Sequence, residues 1–413
     1  MKAIHTVLAI VFAAFLALPT AQKVFRILPS STLGGVEDAV ERPAWTLAGW
    51  FDGTLQPSIE NRYTFRFPLR PHLVKSWNQL QYALCGTPPR HTTGTQVVIG
   101  RDNYLYEQPY IRTYNGNCGL AKADLKTTCT KVRRAQDILK ARNIGFLLVI
   151  APSKVEIYSE FVPAAMLTPG RHTRKTAYDR IVPLFREAGV NTLDMHAQFL
   201  EWKPTAPHPL FPKGGVHWNY YGAALTANRI LDELRTQTGR EFPRIVVAGV
   251  TTNATPEGSD GDLFNLLNLW GDFSLRSSAS FRGVEVHPAL RLEAVPSAVK
   301  PDLLIVGDSF ALTLTEVMDR VRLYDRRDTL YYFNRIISYV QPGTGDPRDL
   351  ATRQAGVPID RRAFSIEDAL RGRDAVIIEV NEQWLPKIGF GFIEAVLAMP
   401  PSAPAPTLPV DSD

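Results

Sequence analysis

The apolar positions of this chain fall into three patterns. The first is an unbroken run, Val7 to Leu18 (VLAIVFAAFLAL), directly behind Met1-Lys2. Twelve helical residues reach only ~18 Å, short of the ~30 Å hydrocarbon core of a bilayer. Extended over Ala3–Ala21 the run approaches full span, taking in His5, Thr6 and Pro19. The residues that follow, LPTAQK, offer no A-x-A cleavage site, so the run reads as an uncleaved or slowly cleaved anchor, with a secretion signal as the alternative. Either way the rest of the chain is expected to be exported.

The second pattern is helical spacing. It appears at Leu73, Trp77, Leu80 and Tyr82, in KVRRAQDILKARNIG up to Gly145, in TAYDRIVPLFREAG, in MHAQFLEW, in DGDLFNLLNLW (Asp260–Trp270), in ALTLTEVMDRV, and in a long stretch from His217 through HWNYYGAALTANRILDELRTQTG. The third is the short continuous apolar run, the mark of a strand covered on both faces. Four occur: 146–151 (FLLVIA), 190–194 (VNTLD), 302–306 (DLLIV) and 375–380 (AVIIEV). TQVVIGRDNYLYE adds a hairpin turning at Gly100–Asn103. Strands alternating with helices predict an α/β sandwich around a parallel sheet, whose chemistry sits at the carboxyl ends of the strands. The divisions expected are residues 1–22 as signal or anchor, 23–95 as a lead-in, 96–395 as the α/β domain, and 396–413 as a disordered proline-rich tail.

Composition narrows this little. Of 413 residues, 45% are hydrophobic and 21% charged, which excludes wholesale disorder and a multi-span membrane protein. Thirty-one prolines favour long connections over a helical bundle. The net charge of +5 is well mixed and includes no Lys/Arg run, so no nucleic-acid partner is expected. The histidines show no paired metal-ligand spacing and no phosphate-binding glycine loop occurs, so neither a metal nor another cofactor is expected. The three cysteines, Cys85, Cys118 and Cys129, form no CxxC. Cys118 and Cys129 are eleven positions apart and either bridge in an oxidising compartment or remain free thiols.

Two segments can carry chemistry. Gly307-Asp308-Ser309-Phe310 follows the LLIV strand, so Ser309 stands where strand turns into helix. A serine there offers a nucleophile, and its N–H at the helix start is an oxyanion donor. The bland reading makes it a plain capped turn. Gly214-Gly215-Val216-His217-Trp218 places His217 at a predicted helix start, as a base for that serine or as a packing residue. Glu379-Val380-Asn381-Glu382 closes a third strand at the same edge. Trp218, Tyr220, Tyr221 and Trp384 can stack sugars or fill core.

VVIGRDNYLYE (97–107), VIAPSKVEIYSEFVP (149–163), GVHWNYYGA (215–223), GDLFNLL (261–267), GDSF (307–310) and IIEVNEQWL (377–385) occur in one order, and together they resemble the alginate O-acetyltransferase family, the AlgX/AlgJ-like, SGNH-hydrolase-like proteins. The resemblance implies an SGNH-type three-layer sandwich with its motifs permuted, so that histidine precedes serine. It implies periplasmic transfer of acetyl groups to a secreted polysaccharide, with a membrane-bound O-acyltransferase as acetyl supplier. Ser309 would be the acyl nucleophile and His217 its base. One position departs: where the family has Asp-Thr-His-Trp, this chain has Gly215, Val216, His217 and Trp218. Asp194 or Asp308 could orient His217 instead, or a backbone carbonyl could. Asn381 or Arg335 would join the Ser309 N–H in holding the oxyanion, with Trp218 and Tyr220 on the substrate. An esterase with the same residues, and a non-catalytic carbohydrate-binding subunit, are the rival readings.

Overall fold

A computed structural model describes residues 2–35, 44–86, 96–116, 122–170, 175–253, 256, 258–275, 281, 285–293, 295–339 and 356–400. The chain divides into two units, one formed by Met1–Leu105 with Asp262–Phe281, the other by Tyr106–Gly261 with Arg282–Asp413.

The first unit begins with helix α1 (Lys2–Phe25), which runs on through Pro19. Within its stretch Ile4–Phe25 the most apolar eighteen residues have a mean hydropathy of 2.1 and are not buried, and the whole stretch is 22 residues long. At 1.5 Å per residue that is ~33 Å, long enough to cross a membrane. Helices α2 (Leu47–Phe51), α3 (Leu55–Arg66) and α4 (Arg70–Cys85) follow. The Thr46 hydroxyl caps α2 by accepting from the Gly49 N–H at 3.0 Å. The lead-in does not stand alone. Helix α11 (Asp262–Leu267) and the residues after it belong to the same unit: Asn78 Nδ2 donates to the Leu267 carbonyl at 3.1 Å, and the Gly34 N–H donates to Asn268 Oδ1 at 2.8 Å. The GDLFNLL segment therefore packs with the lead-in, two hundred residues away in sequence. The expected hairpin forms from β1 (Val97–Ile99) and β2 (Leu105–Glu107), with Asp102 and Asn103 left-handed in its turn.

The second unit is built on a seven-stranded sheet. Its strands are β3 (Gly145–Ala151), β4 (Thr192–Asp194), β7 (Asp302–Gly307), β8 (Arg326–Tyr331), β9 (Arg335–Ser338), β10 (Val357–Pro358) and β11 (Ala375–Asn381), ordered β10-β9-β8-β7-β11-β3-β4. The five strands from β8 to β4 are parallel, and β9 and β10 add an antiparallel edge. All four expected strands are present and form the middle and one side of the sheet. Every residue of β11 is buried, as its unbroken apolar run requires. Register puts Asn381 opposite Ala151 and Gly307 opposite Tyr331, so the carboxyl ends of β11, β3, β7 and β8 share one edge.

Strands β8–β10 escape an apolar reading because β8 (RRDTLY) hides charge. Arg327 is buried and donates to both oxygens of Asp319 at 2.9 and 2.7 Å, and Asp328 pairs with the buried Arg373. A long antiparallel pair, β5 (Arg244–Asn253) with β6 (Glu285–Glu293), forms a separate two-stranded sheet. Around the main sheet lie α5 (Gln108–Tyr114), α6 (Lys122–Lys140), α7 (Lys154–Ile157), α8 (Ala177–Glu187), α9 (Met195–Trp202), α10 (Tyr220–Thr238) and α12 (Ser309–Arg320). Helix α8 opens with a capping box, Thr176 with Asp179. After β11 the chain enters a 3-10 stretch, Glu382–Gly391, rather than a regular helix, and the helix Phe392–Leu397 ends the described fold apart from three residues. The tail from 401 lies outside the described residues, as does Cys118. Cys129 is a free, buried thiol on α6, with its Sγ 3.2 Å from the Leu184 carbonyl.

Candidate active site

Strand β7 ends at Gly307, and α12 begins two residues later. A side chain at 307 would put its Cβ 2.6 Å from Ala311 Cβ and 2.8 Å from Glu379 Oε2, so only glycine permits this tight turn. Asp308, wholly buried, caps α12. Its Oδ1 accepts from the Phe310 N–H at 2.9 Å and its Oδ2 from the Asn381 N–H at 2.7 Å, which ties the helix start to the end of β11. The Asp308 N–H donates in turn to Glu379 Oε2 at 3.2 Å. Burial, then the facing Asp308 carboxylate, hold Glu379 far above the carboxylate range. Burial pushes Asp308 up as well, but the two backbone N–H groups, His217 and the Glu379 proton pull it back. The proton of this pair therefore rests on Glu379, and Asp308 is the ionised member. Ser309 sits on this platform as the first residue of α12, where the helix dipole favours developing negative charge. Asp308→Asn would turn an NH₂ donor towards one of two backbone N–H groups. It should cost about 3 kcal/mol in urea unfolding, and unchanged stability would count against this account of the platform.

His217 does not open a helix. The Asn219 side chain caps α10 by accepting from the Gly222 N–H at 2.8 Å, so the helix begins at Tyr220 and His217 lies in the preceding loop. Two contacts hold that loop. Trp218 Nε1 donates to the Phe310 carbonyl at 3.1 Å, and the His217 ring meets the Phe310 ring edge-on at 4.8 Å. From below, the buried Lys154 ammonium donates to the carbonyls of Lys213 and Gly215 at 2.8 and 2.9 Å. His217 and Ser309 consequently line one cavity of 270 Å³, together with Ser259, Thr313, Asp319 and Arg327.

The place left by the missing aspartate is occupied. A Cβ on Gly215 would fall 2.4 Å from the Ser259 carbonyl oxygen and 2.9 Å from that of Asp260. Asp260 is wholly buried, and after burial and Glu316 its charge is a further, smaller contribution to the raised pKa of Tyr220, three residues beyond His217. The backbone that fills the place of a side chain at 215 thus belongs to a segment, Ser259-Asp260, that lies 45 positions later in sequence and carries a buried acid.

A further residue at the nucleophile is Tyr332, in the β8–β9 turn. Tyr332 and Phe333 are both left-handed (φ 47° each), a conformation costly for non-glycine residues and concentrated at functional sites. The Tyr332 N–H donates to the Gly307 carbonyl at 2.9 Å, and its phenol shares a hydrogen bond with the Ser309 side chain. Burial, then the Asp308 charge, raise that phenol, so it stays protonated. Behind Tyr332 opens a second cavity of 410 Å³, lined by three cations (Lys131, Arg361, Lys387) against one carboxylate, Glu394. Nothing in the turn sequence YYFNR signalled Tyr332, because its position depends on a strand that is not legible as one.

The other residues expected at the site have other work. Asn381 spends its Nδ2 on the carbonyls of Ala151 and Pro152 at 3.3 and 3.2 Å and its Oδ1 on the Gln383 N–H, so it clamps strand ends and is not an oxyanion donor. Arg335 opens β9 opposite Tyr331, exposed, with its charge felt by the Tyr331 phenol. Trp218 and Tyr220 are wholly buried, so neither can touch a substrate. Trp218 packs on Phe310 and Phe199, and the Tyr220 phenol donates to Glu316 Oε2 at 3.0 Å. Among the described residues no group of three His, Cys, Asp or Glu is placed to hold a metal.

Asp194 serves a different buried cluster. It caps α9 by accepting from the Ala197 N–H at 3.1 Å and takes the Tyr178 hydroxyl at 2.8 Å. Tyr178 stacks on His196 at 4.0 Å, and His196 Nδ1 lies 2.8 Å from Glu382, which also accepts from the Ser153 N–H. Burial alone would depress His196, but the Glu382 carboxylate, then Glu156 and Asp194, raise it to about 9. A raised folded pKa stabilises fully below the unfolded value of ~6.5 and is lost as pH rises through about 9. Unfolding free energy should therefore fall by up to ~3 kcal/mol between pH 6 and pH 10, and His196→Gln should remove that slope. A slope that persists in the variant would assign it elsewhere.

Residues 97–316, just over half of the chain, match the family described as "SGNH hydrolase-like domain, acetyltransferase AlgX". The chain belongs to this family. Among curated relatives, the probable alginate O-acetylase AlgJ of Pseudomonas putida is 24% identical over 245 residues, 57% of this chain and 56% of that protein. The chain thus spans little more than half the length of that relative. Among solved structures, the O-acetyltransferase domain of Pseudomonas putida AlgJ aligns over 73% of this chain and 98% of that one, at 16% identity and a TM-score of 0.44. Pseudomonas aeruginosa AlgX aligns over 73% and 67%, at 17% and 0.41. Membership assigns the SGNH-like fold, and His217 precedes Ser309 in the chain as the permuted order requires.

Proposed function

We propose that this chain is an O-acetyltransferase that carries an acetyl group on Ser309 and passes it to a hydroxyl of a secreted polysaccharide. The observation that carries the reading is the position of Ser309. It opens a helix, shares a cavity with His217, and is hydrogen-bonded to a neutral phenol. His217 takes the Oγ proton as Oγ bonds to the acetyl carbon. The carbonyl oxygen gains charge and is held by the Ser309 N–H and the Tyr332 O–H. Collapse expels the donor's oxygen, which leaves with the proton from His217. A sugar hydroxyl then repeats the sequence in reverse, losing its proton to His217 and releasing Ser309. Asp260 takes the part of the missing aspartate, its segment being the one whose backbone packs against Gly215.

The curated relative is named for alginate, a polyanion, and the cationic cavity behind Tyr332 suits an acidic acceptor. Helix α1 supports export to the periplasm with the chain tethered to the inner membrane, within reach of a membrane-bound O-acyltransferase that supplies acetyl groups. The test is to give the full chain p-nitrophenyl acetate with an oligouronate acceptor and follow acetyl in both products. Acetyl on the sugar, with a trapped acetyl on the Ser309 peptide, is the expected result. Acetate release that ignores the acceptor would make the protein an esterase, and no turnover with any donor would make it a binding subunit.

A further inference from the structure

The first unit carries a cluster that no catalytic step uses. Where α1 ends, a cleft of 410 Å³ opens against α3. From α1 it is lined by Pro19, Thr20 and Lys23, and from α3 by Arg62, Tyr63 and Arg66. The α3 residues follow helical i, i+1, i+4 spacing, with Ile59 one turn earlier, and so form one face of the helix. Three of the lining side chains are cations, and none of the lining residues is acidic. The position is specific. The cleft takes in the last turns of α1 up to Lys23, the first charged residue after its apolar run, and so stands where the span leaves the hydrocarbon for the headgroup layer.

The surface of the same unit is unusually apolar. Trp45 and Trp50 stack at 5.5 Å, and Leu47 and Phe51 on α2 are 81% and 84% exposed. Tyr63 and Phe65 on α3 are also exposed. Aromatic side chains that face solvent beside a spanning helix match the interfacial belt of membrane proteins, where one end of the ring is apolar and the other wet. Clustered cations next to a span bind anionic headgroups by the same charge attraction that draws basic segments to the bilayer surface.

We propose that this cleft binds the phosphate of an anionic phospholipid, with the exposed aromatics of α2 and α3 seated in the headgroup layer. The inference rests on the tethered reading of α1 given above. A lipid is favoured over a protein partner because the cleft is continuous with the spanning helix and every charged residue in its lining is a cation. The unit is then seated in the headgroup layer as well as anchored by its helix.

The full chain would be reconstituted in nanodiscs of phosphatidylcholine, with or without about 30 mol% phosphatidylglycerol. Hydrogen exchange would be followed over residues 44–67, and bound lipid counted by native mass spectrometry. Expected are at least about tenfold slower exchange in α3 with the anionic lipid, and a retained phosphatidylglycerol on the chain. Arg62→Gln with Arg66→Gln should abolish both. Arg62→Lys with Arg66→Lys should keep them, since a phosphate accepts a point charge. Turnover of p-nitrophenyl acetate should be equal in all variants, which shows that the fold is intact. Equal protection in both lipids, or protection indifferent to the glutamines, overturns the site. Protection that appears only when another membrane protein co-purifies overturns it in favour of a protein partner. Loss of residues 1–22 from the mature chain, read from its intact mass, overturns the tether and the site together, and leaves the transferase reading standing.

Discussion

Ser309→Ala should lower acetyl transfer about 10³-fold or more, and His217→Ala should match it, measured as kcat/KM for a soluble acetyl donor. The two act as a unit, since a serine without its base is a poor nucleophile and a base without its serine has nothing to activate. The double variant should therefore be no worse than either single one, whereas independent contributions would multiply. Both variants should fold, because the α12 cap is Asp308 and the 214–219 loop is fixed by Trp218 and Lys154, not by the reacting side chains. Wild-type turnover in either would remove the acyl-enzyme from consideration. A partial loss in Tyr332→Phe, smaller than that of Ser309→Ala, would fit a phenol that shares the oxyanion load with a backbone N–H.

Asp260→Asn should lower kcat about 10²- to 10³-fold with little change in KM, because an orienting carboxylate acts on the transition state and not on substrate binding. The amide keeps the volume and removes the charge that stabilises an imidazolium. The pH–rate profile should shift to lower pH on its acid limb, as removing an anion that faces an imidazole makes it a weaker base. A merely structural role for Asp260 would leave that limb in place. Restoring the family residue, Gly215→Asp, should not rescue activity. Its Cβ would meet two backbone carbonyls under 3 Å away, and backbone cannot swing aside as a long side chain can. That variant should melt lower than the wild type. Full activity in Asp260→Asn would return the orienting role to Asp308, whose charge His217 already feels, or to a backbone carbonyl.

Much of this site follows from local pattern. An unbroken apolar run declares a strand buried on both faces whatever surrounds it, which is why 146–151, 302–306 and 375–380 are legible. A glycine, an acid and a serine after such a run declare a strand-to-helix turn, because cap chemistry is local. The order of six motifs carries the family, and with it the pairing of His217 and Ser309. The apolar N-terminal run likewise needs no partner to be read, although its helix continues past Pro19 further than the run itself.

Tertiary structure decided everything that depends on a partner distant in sequence. Strand β8 reads as polar because Arg327 and Asp328 find Asp319 and Arg373 only once the sheet is assembled, and Tyr332 is carried to Ser309 on that hidden strand. Asn381 and Trp218 stand near the serine in sequence logic, yet their donors are consumed by backbone carbonyls, a fact no pattern encodes. Asp194 ends a strand on the right edge but is claimed by Tyr178 and Ala197. Position 215 is closed to a side chain because the carbonyls of Ser259 and Asp260, 44 and 45 positions later, fill the space where one would stand. Periodicity records which face of an element is buried. Which polar group meets which is set by the close packing of segments that the chain brings together only when folded.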